Sequence, residues 1–160
     1  MCIRDRNSVE KMDDLFADAG LPNDQHQYMI AYSTFPTGAI ILGGAGTAMT
    51  ENVDQGYGGY WVSVHTDHID LFPLAKLNRQ NSIMSPGRMA LSTSDPYTLT
   101  RDEIKSIKIH AANGISMFSK TITINLNNGR KYVWLVNNNE KSLPFHQNGV
   151  EAFKAFAKTI

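Results

Sequence analysis

The residues best placed to do chemistry sit mid-chain. His65 and His68 flank Thr66-Asp67, and imidazole with carboxylate is a donor set for a divalent ion. The sequence places no third ligand beside them, and His26, His110 and His146 are scattered. No metal and no cofactor is therefore expected. A second candidate is the run Ile40-Ile41-Leu42-Gly43-Gly44-Ala45-Gly46-Thr47-Ala48-Met49. It begins like a dinucleotide fingerprint, but Met49 stands at the third glycine position and no strand–helix–strand unit follows. A phosphate loop would need Gly-Lys-Ser/Thr, and no lysine is present there. Asp102-Glu103 are adjacent carboxylates. On a strand they would point apart and on a helical turn they would cap it, and Asp102 reads as a turn starter. With no Gly-x-Ser-x-Gly and no His-Glu-x-x-His, no catalytic set assembles and the chain reads as a non-enzyme. Single-stranded nucleic acid would call for exposed aromatics among basic residues. Tyr132 and Trp134 beside Lys131 are the only such group, and no nucleic-acid binding is expected.

The elements that position these residues are legible from periodicity. Residues 121–126 alternate polar and apolar, and Asn128-Gly129 follows. Asn-Gly suits a two-residue type I′ turn, in which both residues take positive φ. The return strand covers residues 131–136. That loop sets Ile124 opposite Val133 and Ile122 opposite Leu135, an all-apolar face. Thr123 then pairs with Trp134, and Asn125 with Tyr132, on a mixed face. A helix is expected from about Asn148, with Glu151 completing a capping box. Val150, Phe153, Phe156, Ala157 and Ile160 share its apolar stripe, and Lys154 and Lys158 suit the negative end of its dipole.

Further strands are expected at 27–35, 59–65, 69–74, weakly within 89–99, and at 104–111. With the hairpin at 120–126 and 131–136, that makes seven. Thr66-Asp67 joins two strong runs as a second hairpin. Residues 8–19 read as a short amphipathic helix, with Ser8 as N-cap and Gly20 as stop. Residues 76–88 read as a long loop.

Composition sets the class. The chain has 160 residues, 42% hydrophobic and 19% charged, which is ordinary globular material for one domain. No apolar run approaches the ~18 residues of a membrane span. Residues 1–6, Met1-Cys2-Ile3-Arg4-Asp5-Arg6, read as a translated sequencing adaptor and are set apart from fold reasoning. Cys2 is the single cysteine, so disulfide and thiolate chemistry drop out with it. The native N-terminus is then not defined by Met1. Residues 7–24 form the N-terminal helix and linker, and residues 25–160 the main domain. The net charge is +0, but unevenly spread. Residues 7–75 carry one basic residue against nine acidic, and residues 76–160 twelve basic against five acidic.

Three stretches carry a family resemblance. They are Tyr60-Trp61-Val62-Ser63-Val64-His65-Thr66-Asp67-His68-Ile69-Asp70-Leu71-Phe72, the link Leu99-Thr100-Arg101-Asp102-Glu103-Ile104-Lys105-Ser106-Ile107-Lys108-Ile109, and the hairpin from Ile122 to Trp134. Over roughly residues 27–160 the chain resembles the bacterial pleckstrin-homology-like domains, relatives of the GRAM group. The resemblance implies an α+β, mainly β fold: a seven-stranded, partly open barrel capped by a C-terminal helix, here with a short extra N-terminal helix. It also implies a cytoplasmic, non-catalytic binding module. Protein or peptide binding leads, at an open sheet edge or in the groove beside the terminal helix. The alternative is peripheral association with anionic lipids. Residues 36–58, where lipid-binding relatives cluster basic residues, hold no Lys or Arg. The expected ligand-binding residues are Arg101, Lys105, Lys108, Lys120, Arg130, Lys131, Tyr132 and Trp134. Lys105 and Lys108 are three apart, so a strand points them to opposite faces and dilutes the patch. Open edges also allow two copies to pair edge to edge.

Overall fold

The computed structural model describes residues 6–33, 58–76, 89–112 and 116–160. The glycine-rich run at 40–49 and nearly all of the expected loop at 76–88 lie outside them. Helix α1 (Val9–Asp18) starts where the sequence places it, with the Ser8 side chain accepting from the Lys11 N–H. Gly20, at φ +77, ends its run. One antiparallel sheet follows: β1 (Tyr28–Ser33), β2 (Gly59–Val64), β3 (His68–Lys76), β4 (Met89–Leu91), β5 (Tyr97–Thr100), β6 (Ile104–Ala112), β7 (Ser116–Leu126) and β8 (Lys131–Asn137). The spatial order is β4-β3-β2-β1-β8-β7-β6, with β5 also on β3. The weak fourth strand is thus two pieces, both paired to β3, and the sheet curls into a half-barrel of seven strand positions. Helix α2 (His146–Ala157) packs against β1 and β2 inside the curl.

Both faces of the central strands are buried, and this decides the packing. Met29, Ala31, Tyr60, Val62, Ile69 and Leu71 face inward with Val150, Phe153 and Phe156 of α2. Tyr28, Ile30, Tyr32, Trp61 and Leu74 face outward and are covered by Met12, Leu15 and Phe16 of α1 and by Leu143 and Phe145. The N-terminal helix is therefore part of the same packed body. Near-continuous apolar runs in β1 and β2 are what a strand covered on both sides requires.

The closing hairpin differs from its expected register by one residue. Ile124 pairs with Tyr132, Ile122 with Trp134, Thr123 with Val133 and Asn125 with Lys131. Gly129 is left-handed at φ +86 while Asn128 is not. Leu126 N–H bonds to the Arg130 carbonyl at 2.8 Å. The loop therefore holds three residues, with a single left-handed glycine, the common alternative to the two-residue turn. Helix α2 also starts earlier than expected. Phe145 is its N-cap and makes no side-chain cap bond, so the Asn148–Glu151 box does not form.

The early start has a purpose in the sheet. β1 pairs with β8 only through Tyr32 and Ser33, which leaves the Ile30 N–H without a strand partner. His146 fills that gap: its Nδ1 accepts from Ile30 N–H at 3.2 Å, and its Nε2–H donates to the Asn137 carbonyl at 2.7 Å. This requires the neutral ring, and burial lowers the His146 pKa from the ordinary 6.5. Unfolded chain takes up a proton near 6.5 while folded chain resists it. The contribution of His146 is therefore fully present above 6.5 and is lost as pH falls from there toward the lowered folded value. His26 works the other way, because its hydrogen bond to Asp13 raises its pKa on the surface. Urea midpoints measured between about pH 8 and about pH 5 should fall with acidity, and His146→Gln should flatten that slope. A slope unchanged in the variant would place the acid sensitivity elsewhere.

Candidate functional site

The expected ligand-binding residues do not form one patch. Arg101 lies in a short 3-10 helix (Arg101–Glu103), braced by Thr100, whose N–H and hydroxyl both donate to Glu103 Oε2 at 2.9 Å. Its guanidinium donates to the Thr66 carbonyl at 2.7 Å, so it is bound to the β2–β3 turn. Lys105 is the bulged residue between Ile104 and Ser106, and is exposed. Lys108 is exposed opposite Thr123. Arg130 and the exposed Lys131 follow the β7–β8 turn. That turn meets the 3-10 helix through Asn127, whose side chain donates to the Asp102 carbonyl. Arg101, Lys105, Arg130 and Lys131 thus share one end of the curl. Lys120, half-buried opposite Ala111 and Val136, is about 20 Å further along the strands.

Tyr132 and Trp134 are corrected outright. The one-residue change of register turns both inward, where they are 2% and 0% exposed. Tyr132 shares a hydroxyl–hydroxyl bond of 2.8 Å with Tyr97, and Trp134 packs on Phe153 with ring centroids 5.9 Å apart. Burial, followed by the neighbouring Tyr60 and Tyr132, pushes the Tyr97 hydroxyl pKa far up, so this ring cluster is neutral core. Neither residue presents a face to a ligand.

The β6 strand is an edge of the described sheet. It is nine residues long and is hydrogen-bonded to β7. Among the described residues no strand lies on its other side. Ile107 and Ile109 pack inward against the core, while Lys105, Lys108 and His110 are exposed.

A second constellation occupies the outer face of the β2–β3 hairpin. His65 N–H bonds to the His68 carbonyl at 3.0 Å across a two-residue turn. Ser63 therefore pairs with Asp70, which also pairs with Thr98 of β5. The period of two then puts Ser63 and His65, and His68 and Asp70, on one face. Asp70 Oδ1 accepts from the Thr98 hydroxyl at 2.5 Å. Its Oδ2 lies 2.9 Å from His65 Nε2 and 3.8 Å from His68 Nε2. The imidazoles stack with centroids 4.0 Å apart. Asp67 accepts from His68 Nδ1 at 2.7 Å, and that hydrogen bond lowers the Asp67 pKa. Buried Asn23 donates to Ser63 Oγ at 2.7 Å and to the Val64 carbonyl at 3.1 Å. Asp70 is the ligand-type residue that reading along the chain passes over. The signal was present: a two-residue Thr66-Asp67 loop and strand alternation suffice to bring it beside both histidines.

No protein-family model, curated protein or solved structure matches this chain.

Proposed function

We propose that the chain is a non-catalytic binding module of the pleckstrin-homology-like kind, working on the cytoplasmic side, that takes a protein or peptide partner as an added strand along β6. The observation that carries this reading is a nine-residue strand bonded to β7 with no strand beyond it among the described residues. An extended segment of that length spans about 30 Å and can satisfy the row of main-chain groups along the edge. Lys105, Lys108 and His110 select for acidic side chains on the partner, each exposed pair adding about 0.2–1 kcal/mol. The same lysines disfavour a second copy of β6 as partner, because like charges across two strands repel. Among the described residues no helix is long and apolar enough to cross a membrane. The separation of Lys120 from the other basic residues weighs against a continuous lipid-binding face.

The test is selection of displayed peptides on the chain, followed by amide mapping of the winners. Extended peptides carrying Asp or Glu should shift the amides of residues 104–112 and slow their exchange. High salt should weaken this binding only modestly, since main-chain hydrogen bonds are not screened. Absence of β6 shifts, with pelleting on anionic vesicles that is lost at high salt, would replace this reading with membrane association.

A further inference from the structure

The geometry points to a divalent transition-metal site formed by His65, His68 and Asp70 on the outer face of the β2–β3 hairpin, with Zn²⁺ as its representative ion. The ligand atoms of these three side chains all lie within 4.8 Å of one another. Two imidazole nitrogens and one carboxylate oxygen are a borderline donor set that suits zinc and its first-row neighbours. Calcium and magnesium call for all-oxygen shells.

What distinguishes this cluster from a satisfied surface triad is the gap between His68 Nε2 and Asp70 Oδ2. His68 Nδ1–H donates to Asp67, so in the neutral ring Nε2 carries a lone pair. That lone pair faces Asp70 Oδ2 at 3.8 Å, beyond hydrogen-bond range. No hydrogen bond joins these two atoms, and the carboxylate side chain is only 2% exposed. A cation between them would bridge them. His65 Nε2 lies 2.9 Å from the same oxygen, and a metal bound there leaves the single proton of the neutral ring on Nδ1.

The supporting residues are also those a metal site needs. Asp67 fixes the His68 tautomer through the nitrogen that does not bind the ion, the carboxylate–histidine–metal arrangement. Thr98 holds Asp70 Oδ1, so Oδ2 is the oxygen turned toward both imidazoles. Ser63, held by Asn23, backs His65 Nε2 at 3.2 Å. Bond lengths of about 2.0–2.2 Å set tetrahedral ligands about 3.3 Å apart. Reaching that spacing asks only that the stacked rings splay, and the His68 side chain, 28% exposed at the rim, has room to turn. Among the described residues, Asp67 favours the ion, and Arg101, bound to the Thr66 carbonyl, opposes it.

The experiment is calorimetric titration of the full chain, free of any affinity tag, with zinc chloride, read together with imidazole NMR. The expected result is one equivalent bound, with the ring signals of His65 and His68 moving and those of His26, His110 and His146 unmoved. His68→Gln and Asp67→Asn should each weaken binding by about tenfold to a hundredfold. His110→Gln should leave it unchanged. His68 is chosen over Asp70 because its side chain is 28% exposed and that of Asp70 only 2%. Should that variant misfold, the wild-type ring shifts decide alone. No heat and no His65 or His68 shift at millimolar zinc overturns the site and leaves the cluster as hydrogen-bonded packing. So does binding that His68→Gln leaves intact, because it then belongs to another place.

Discussion

Replacing Gly149 with alanine is expected to destabilise the fold by about 3 kcal/mol or more, the upper end of overpacking costs. Helix propensity argues the other way, since Gly to Ala inside a helix gains about 1 kcal/mol. Geometry decides between them. A Cβ at this position would lie 2.0 Å from the Tyr28 carbonyl oxygen, 2.3 Å from its carbon and 2.9 Å from the Met29 nitrogen. These are backbone atoms of β1, which is tied to β2 through five residue pairs and cannot step aside. The helix must lift instead. Lifting it pulls Val150, Phe153 and Phe156 from the core and His146 from the Ile30 N–H. The check is the urea midpoint of Gly149→Ala at unchanged slope. A rise in midpoint would mean that α2 does not lie against β1 this closely.

That contact also shows why parts of the fold were legible and parts were not. Strand positions came from local patterning, and six of the seven recur within a few residues while the weak one splits into β4 and β5. The helix start did not, because Asn148 and Glu151 make a locally attractive cap. The winning start at His146 serves a distant need, an unpaired N–H on β1 that no neighbouring residue announces. The hairpin register failed for a related reason. The expected pairing followed from a two-residue Asn-Gly loop, which matched Val133 and Leu135 to one apolar side, and the loop holds three residues. In the fold both sides of β8 are covered: Tyr132, Trp134 and Val136 belong to the inner cluster, while Leu135 packs on the outer one. With apolar residues wanted on both faces, alternation no longer distinguishes one register from the next. Asp70 was missed by the opposite error. Its neighbours across β2 and β5 follow from hairpin arithmetic, yet a linear search for a third ligand does not perform it.

The register makes a second large prediction, because it moves Trp134 from a mixed surface to the centre of the core. Trp134→Ala is expected to cost about 3–5 kcal/mol, the range for deleting a buried aromatic. Lys131→Ala, three residues earlier and exposed, should stay within about 0.5 kcal/mol. Trp134→Phe separates packing from polarity. The indole Nε1 is buried and, among the described residues, has no hydrogen-bond partner. Removing that donor returns a desolvation penalty of about 1–3 kcal/mol, which offsets much of the lost ring volume. The phenylalanine variant should therefore lie much closer to wild type than the alanine one. Denaturant midpoints of the three variants check the whole pattern. A mild Trp134→Ala would restore the two-residue turn and put Tyr132 and Trp134 back on an accessible face beside Lys131. A costly Trp134→Phe would instead mean that the indole N–H has a partner, and that its bond, not the ring's volume, holds this end of the core.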